Sequence, residues 1–460
     1  MQVASGGFYL FAALIFFLYW IAAGSRRVRL SVLLLANYVF CAQFGVFYAF
    51  LLPACSLVDY VVGLGLVRFS NRFGRRALVG VSVVLNLSLL AGSRHMPWFL
   101  THAHVSGWDW VFPLGLSFYT FQALTYTLDL YRRDVETPCT LLEHFTAVSF
   151  FPTILAGPIT RVSDLAKQFA AAPALTRVDG GRAFFLIGLG LTKKALIADY
   201  LGANFVNRVF DTPNLYSGGE ALLAVYAYSL QLYFDFSGYT DIARGVALLL
   251  NIRLPINFDR PYLSANMNEF WRRWHISFSN WLRDYLYFSL PGKRTKVMPY
   301  LNLVITMVLG GLWHGVTWTF AIWGLLHGLA LAVTRLWQSK RGRNRQPASA
   351  VGHGIRVFLT YQFVCLTWIF FRAGSLADAL ALLNRIGSLT FSFENVTWTL
   401  VAVLLLGAAA MFVRKSVYNA VCETFAQQPF YAHAAALALI TVALELLGGQ
   451  GSAPFVYSRF

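Results

Sequence analysis

The chain has 460 residues, of which 57% are hydrophobic and 12% charged, whereas soluble globular proteins carry roughly a quarter charged residues. That balance excludes a string of soluble domains, and apolar runs of membrane-spanning length recur from end to end. The net charge of +17 would suit a nucleic-acid partner, but the Lys and Arg residues fall in short clusters between apolar runs, as in Arg26-Arg27-Val28-Arg29, Arg75-Arg76 and Lys340-Arg341-Gly342-Arg343. This is the pattern of cytoplasmic loops, and no nucleic-acid partner is expected.

The run from Phe8 to Ala23 lacks a preceding positive segment and is followed by Arg26, Arg27 and Arg29. It reads as a first span with its N-terminus outside, not as a cleaved leader. Further spans are expected near 30–50, 53–68, 77–93, 109–131, 182–202, 219–250, 298–316, 318–336, 354–372, 397–413 and 432–448, giving about eleven to thirteen membrane segments. The basic clusters place 24–29, 69–76, 132–144, 253–297, 337–353 and 414–431 inside, and 94–108, 203–218, 373–396 and the C-terminus outside. The expected architecture is an all-α, polytopic transmembrane bundle forming one integral membrane domain over 1–460.

Two stretches do not read as simple spans. Phe145–Arg161 carries Pro152, Gly157 and Pro158 inside an apolar run, and each proline removes a backbone donor and clashes one turn back. A kinked or re-entrant segment is expected there, which is tolerated where it is buried in protein or lines a cavity. The region 253–297 mixes Trp271, Trp274 and Trp281 with Arg260, Arg272, Arg273 and Arg283, and reads as an amphipathic or re-entrant segment at the cytoplasmic face. The polar stretch 337–353 reads as a cytoplasmic linker. Cys41, Cys55, Cys139, Cys365 and Cys422 are odd in number and lack CxxC spacing, which indicates neither a disulfide framework nor a metal site.

The main chemical candidate is His314, in Leu309-Gly310-Gly311-Leu312-Trp313-His314-Gly315. An ionisable group inside a span is costly and marks function by default, and its glycine neighbours would let a substrate or a backbone approach the imidazole. The alternative is a histidine that hydrogen-bonds between helices. His275 follows Trp271, Arg272, Arg273 and Trp274; on one helix Trp271, Trp274, His275 and Phe278 would share a face. It reads as a neutral basic imidazole or as part of an interfacial aromatic belt. Asp235, Ser237, Tyr239 and Asp241 interrupt the run 221–250, where two carboxylates need partners or a water-filled cavity. His327 reads first as a structural hydrogen-bonding residue. No phosphate loop, HExxH or GxSxG occurs.

Taken in order, Pro113 to Gln122, Phe151-Pro152 with Ala156 to Ile159, Tyr233-Phe234-Asp235-Phe236-Ser237-Gly238-Tyr239-Thr240-Asp241, Asn257-Phe258 through Trp281, Gly310 through Gly328, and Phe370 to Ala373 with Ser375-Leu376 resemble the membrane-bound O-acyltransferase family, in its alginate acetyltransferase-like branch. The resemblance implies a central funnel or tunnel, catalytic His314 and His275, and a substrate or donor path along Asp235, Ser237, Tyr239, Asn268, Arg272, Arg273, Trp274, Ser277, Trp281, Asp284 and Trp313. It also implies a bacterial inner-membrane location, no permanently bound cofactor or metal, and acetyl-CoA or another acyl thioester as donor. The implied partners are lipid, a polysaccharide acceptor, an extracytoplasmic acetyltransferase or relay protein, and a polysaccharide synthase complex. The link Phe288 to Arg294 and the chain end Phe455 to Phe460 depart from the branch's pattern.

On this reading His314 is the general base for an acceptor hydroxyl, His275 positions or polarises the donor carbonyl, and Arg272 and Arg273 attract an anionic donor. Direct transfer and a covalent acyl-histidine both remain open, as does transfer of D-alanine from a carrier protein to a cell-wall polymer. A transporter using Asp235 and Asp241 would show paired interruptions in two related halves, and none is visible in the chain.

Overall fold

The computed structural model describes residues 5–43, 45–102, 115–291, 295, 297–340 and 349–447. Lying outside them are 103–108 of an expected exterior loop, the start of the expected span 109–131, Gly292 to Arg294, 341–348 of the expected linker, and the chain end with Phe455 to Phe460. The described secondary structure is entirely helical.

In chain order the helices are α1 (Gly6–Ile21), α2 (Arg26–Ala42), α3 (Val46–Arg68), α4 (Arg72–His102), α5 (Leu116–Arg132), α6 (Leu141–Val148), α7 (Phe151–Ile154), α8 (Val162–Ala170) and α9 (Arg177–Leu191). Beyond α9 the chain continues through π-helical turns at Thr192–Asp199 and Gly202–Val206. Then follow α10 (Asn207–Asp211), α11 (Gly218–Leu249), α12 (Met267–Arg273), α13 (Ile276–Trp281), α14 (Met298–His314), α15 (Trp318–Lys340), α16 (Ala350–Arg372), α17 (Leu376–Gly387), α18 (Trp398–Phe412), α19 (Lys415–Ala426) and α20 (Phe430–Leu447).

Among the described residues, four helices are long and apolar enough to cross a membrane by themselves, Phe50–Arg68, Arg72–Ser93, Trp318–Lys340 and Ala350–Arg372. The pair α18 and α19, bent by 96°, qualifies as a fifth when taken together. The expected segments, about eleven to thirteen, also take in shorter helices and helices with polar interruptions. Helix α14 has 17 residues, about 26 Å at 1.5 Å per residue, against a hydrocarbon layer of about 30 Å. Helix α11 is long but contains Glu220, Asp235, Asp241 and Arg244. The expected span 30–50 is in fact two elements, since α2 already starts at Arg26 and ends at Ala42, and α3 begins at Val46. The ends of the expected linker are helical as well, 337–340 closing α15 and 350–353 opening α16.

The chain divides into two compact units, one formed by Met1–Ile187 with Thr240–Pro255 and the other by Gly188–Tyr239 with Ile256–Phe460. In the first, two arginines from the clusters read as cytoplasmic markers cap helix ends. Arg29 donates to the carbonyls of Phe169 and Ala171, each at 2.9 Å. Arg75 donates to the carbonyls of Leu130 at 3.0 Å, Tyr131 at 2.7 Å and Leu66. The last carbonyls of a helix have no intrahelical partner, and a buried guanidinium supplies several donors at once.

The kinked stretch expected at 145–161 is broken between α6 and α7, and it is buried from Thr146 through Thr160. Asn37 on α2 holds that break. Its Nδ2 donates to the Thr146 carbonyl at 3.1 Å and to Ser149 Oγ at 3.2 Å, and its Oδ1 accepts from Phe151 N–H at 2.9 Å. Gly115 enters α5 at φ 90° against the carbonyl of Ile154, a conformation and a contact that only a residue without Cβ tolerates. Between α3, α4 and α5 the buried Asp59 accepts from Ser82 Oγ at 2.6 Å and from Asn86 Nδ2 at 3.0 and 3.1 Å. Asp241 pairs with Arg244 at 3.4 Å one turn along α11.

The second unit is built on the α14–α15 hairpin. Gly311, Gly324 and Gly328 form the seam: a Cβ on Gly311 would meet the Phe320 carbonyl, one on Gly324 would lie 2.8 Å from Val308 Cα, and one on Gly328 2.6 Å from Val304 Cα. Without side chains the two backbones approach closely, the usual way apolar helices associate in lipid. We expect Gly324→Ala to cost about 1–3 kcal/mol through overpacking, whereas Gly80→Ala, where a Cβ meets nothing within 4 Å, should be neutral or gain about 0.5–1 kcal/mol from helix propensity. Thermal unfolding in detergent compares the two; equal midpoints would refute the seam.

Candidate active site

His314 is the last residue of α14, and its side chain is buried, 4% exposed. Aromatic rings enclose it: Trp313 at 4.7 Å between centroids, Phe371 of α16 at 5.0 Å, Trp323 of α15 at 5.5 Å and edge-on, Phe278 of α13 at 5.7 Å, and Phe320 of α15 at 6.0 Å. Of the two approaches that the glycines were expected to allow, by a substrate or by a backbone, the structure shows the second. Gly311 and Gly324 are filled by the facing backbone, a Cβ on Gly315 would lie 2.5 Å from the Phe320 ring, and one on Gly310 would lie 3.0 Å from Leu282. They bring the aromatic walls in.

The single helix expected through 270–285 is not formed. Helix α12 ends at Arg273, Trp274 is extended, and His275 takes φ 42° and ψ 56° before α13 begins. A left-handed conformation at a residue other than glycine costs on the order of 1–3 kcal/mol and persists where its surroundings enforce it. The enforcing residue is Asn257. Its backbone carbonyl accepts from Ile276 N–H at 2.9 Å, and its Oδ1 lies 3.1 Å from Ser277 N, 2.9 Å from Ser277 Oγ and 3.2 Å from His275 Nδ1. The imidazole is 1% exposed, edge-on to Phe236 of α11 at 4.7 Å and stacked on Phe278 at 4.9 Å.

Phe278 also stacks on Trp313 at 4.8 Å. One phenyl ring therefore contacts both imidazoles, and His275, Ser277, Trp313 and His314 gather around it. The other expected site residues lie elsewhere in this unit. Trp274 is core, packed on Trp368 at 5.0 Å and Phe258 at 5.1 Å. Trp281 is half-buried beside Tyr285, and Asp284 pairs with Arg283 at 2.8 Å. Ser237 and Tyr239 are buried on α11. Asn268 bonds Gln338 at 3.0 Å, and Arg273 pairs with Glu269 at 2.6 Å. Asn266, Glu269, Arg272, Arg273 and Gln338 line a cleft of about 460 Å³, whose two guanidinium groups suit an anionic ligand. His327 bonds Thr367 Oγ1 at 2.9 Å and is packed among Trp271, Trp323 and Phe363, which is the structural role expected of it.

Asp235 has its partner in Lys194, at 2.7 Å, and the same ammonium lies 2.6 Å from Asp199. Gly238 permits this approach, because a Cβ there would lie 2.7 Å from the Gly190 carbonyl and 3.2 Å from Lys194 N. Helix α11 thus offers Asp235 and Gly238 to the π-helical turn, and Tyr233 and Phe236 to Phe258, Trp274 and His275. Sequence reasoning missed Lys194, Asn257 and Phe371 as members of this neighbourhood. Lys193-Lys194 inside an apolar run was the available signal for a pair to Asp235. Removing one partner of a buried ion pair costs about 3–5 kcal/mol, while removing both is far milder. Lys194→Met should therefore lower the unfolding midpoint sharply, and Lys194→Met with Asp235→Asn should recover much of it; no recovery would disprove the pairing.

The family model for membrane-bound O-acyltransferases matches residues 102–373, a range that holds both histidines. The probable alginate O-acetylase AlgI of Pseudomonas fluorescens is 38% identical over 404 residues, covering 87% of this chain and 77% of that protein. The peptidoglycan O-acetyltransferase of Helicobacter pylori is 35% identical over 385 residues, 76% of this chain and 72% of that one. A teichoic acid D-alanyltransferase of Streptococcus thermophilus is 31% identical over 291 residues, 58% of this chain and 69% of that one. With two buried histidines inside the matched range and its apolar helices of spanning length, the chain belongs to the membrane-bound O-acyltransferase family, in the alginate O-acetylase-like branch, and is a multi-pass membrane acyltransferase.

Proposed function

We propose that this enzyme takes an acetyl group from acetyl-CoA at the cytoplasmic side of a bacterial inner membrane and moves it across for O-acetylation of an extracellular polysaccharide. The observation that carries the reading is the pair of buried imidazoles, His275 and His314, set against one phenyl ring, in a chain similar to proteins named for acetylating alginate and peptidoglycan.

In the proposed step the acceptor hydroxyl gives its proton to neutral His314 as its oxygen attacks the thioester carbonyl. A C–O bond forms, the C–S bond breaks, and the departing thiolate takes the proton back from His314. The surrounding rings exclude water, which would otherwise hydrolyse the thioester. His275 positions the donor, and Arg272 and Arg273 at the cleft draw its phosphates. The acceptor side is served by an extracytoplasmic acetyltransferase or relay protein, working with a polysaccharide synthase complex.

The similarity to a teichoic acid D-alanyltransferase supports a second reading, D-alanine transfer from a carrier protein. Purified protein offered labelled acetyl-CoA or a D-alanyl carrier protein separates them: label should leave acetyl-CoA, and loss from the carrier alone would favour the second reading. His314→Ala should lower the transfer rate by about 100–10,000-fold without loss of folding; a folded variant with the parental rate would refute His314 as base. Arg272→Gln with Arg273→Gln should raise the donor KM and leave kcat nearly unchanged, and the difference should shrink as salt is added. A salt-independent KM would remove the arginines from donor binding.

A further inference from the structure

The arrangement around His275 determines more than its place. Asn257 Oδ1 lies 3.1 Å from the backbone N–H of Ser277 and 2.9 Å from Ser277 Oγ. A peptide N–H can only donate, so the atom facing it is the amide oxygen and not the amide nitrogen, which settles the orientation of the side chain. An amide oxygen can only accept. The imidazole nitrogen 3.2 Å from the same atom, His275 Nδ1, must then carry the hydrogen. In the neutral ring the lone pair is left on Nε2.

The geometry points to Asn257 as the positioning residue of His275, holding the neutral imidazole in its Nδ1–H form, with the acceptor lone pair on Nε2. The assignment rests on the reading of His275 as part of the transfer site. It alters the role expected there, because neutral His275 in this form cannot polarise a carbonyl from Nε2. The group it holds bears an O–H or N–H, such as an acceptor hydroxyl or a donor amide.

Several contacts serve this one end. The left-handed backbone at His275 turns the ring back toward Asn257, the Asn257 carbonyl binds Ile276 N–H at 2.9 Å, and Phe236 and Phe278 hold the ring's edge and face at 4.7 and 4.9 Å. The same residue thus closes the backbone break and selects the tautomer, as an orienting partner does for a catalytic or metal-binding histidine.

The test is ¹⁵N NMR of the full-length, histidine-labelled protein in lipid at mildly alkaline pH, the His275 signals being those absent from His275→Gln. The expected spectrum shows Nδ1 protonated and Nε2 bare; protonation at Nε2, alone or with Nδ1, would overturn the assignment. Asn257→Asp keeps an acceptor oxygen and should keep both the tautomer and most of kcat. Asn257→Leu should lose the tautomer and lower kcat by about 10–100-fold with little change in donor KM. A folded Asn257→Leu protein that keeps the wild-type tautomer would also refute the role, and the wild-type spectrum remains decisive if that variant fails to fold. A wild-type protein with the expected tautomer but no turnover of acetyl-CoA would leave this assignment standing and defeat the donor reading instead.

Discussion

The structure depends on one constraint: a helix interrupted within apolar surroundings leaves N–H and C=O groups that must find partners inside the protein. Two asparagines meet it. Asn37 spans the gap between α6 and α7 with three bonds, and Asn257 spans the gap between α12 and α13 with its carbonyl and side chain together. Asparagine suits the task because one short side chain both donates and accepts. At helix ends the same need is met by Arg29, whose guanidinium binds carbonyls at the end of α8, and by Arg75, which binds carbonyls in the last turns of α3 and α5. The candidate-site histidine at 275 lies at such a gap, in a left-handed conformation that a regular helix does not contain.

Packing in the second unit follows from that irregularity. With α12 and α13 short and broken, the hairpin α14–α15 and helix α16 supply the regular walls, and glycine on the facing surfaces lets those walls close around aromatic rings. The seam residues and the rings are complementary: the first bring backbones together, and the second fill what remains beside His314. The ion pair between Lys194 and Asp235 fixes which face α11 turns toward Phe258 and Trp274. A buried pair of this kind contributes little net stability compared with apolar packing, and its best-attested use is to set register.

Much of this was legible in the chain beforehand. The all-α membrane class followed from apolar runs and sparse charge, the break near Pro152 and Pro158 from proline chemistry, and the two histidines from their apolar settings and ordered motifs. What escaped was long-range. Nothing local in Asn257 marks it as the partner of a residue eighteen positions later, and Lys194 could be paired with Asp235 only once α11 and the π-helical turn were seen together. Periodicity argued for a continuous helix through His275 because Trp271, Trp274 and Phe278 are spaced as a helical face would be. The left-handed residue that breaks the pattern has no signature in residue type. Hydropathy alone does not distinguish a helix buried in protein from one facing lipid, so it places apolar helices without saying which of them meet lipid.

Phe278 gives the site a property that neither histidine has alone. Its ring stacks on one imidazole and borders the other, and a phenyl group has no exchangeable hydrogen and no lone pair to pass along. It is an insulator for protons. No proton passes directly through that ring from one imidazole to the other, so the two histidines are neighbours in packing without being neighbours in proton transfer.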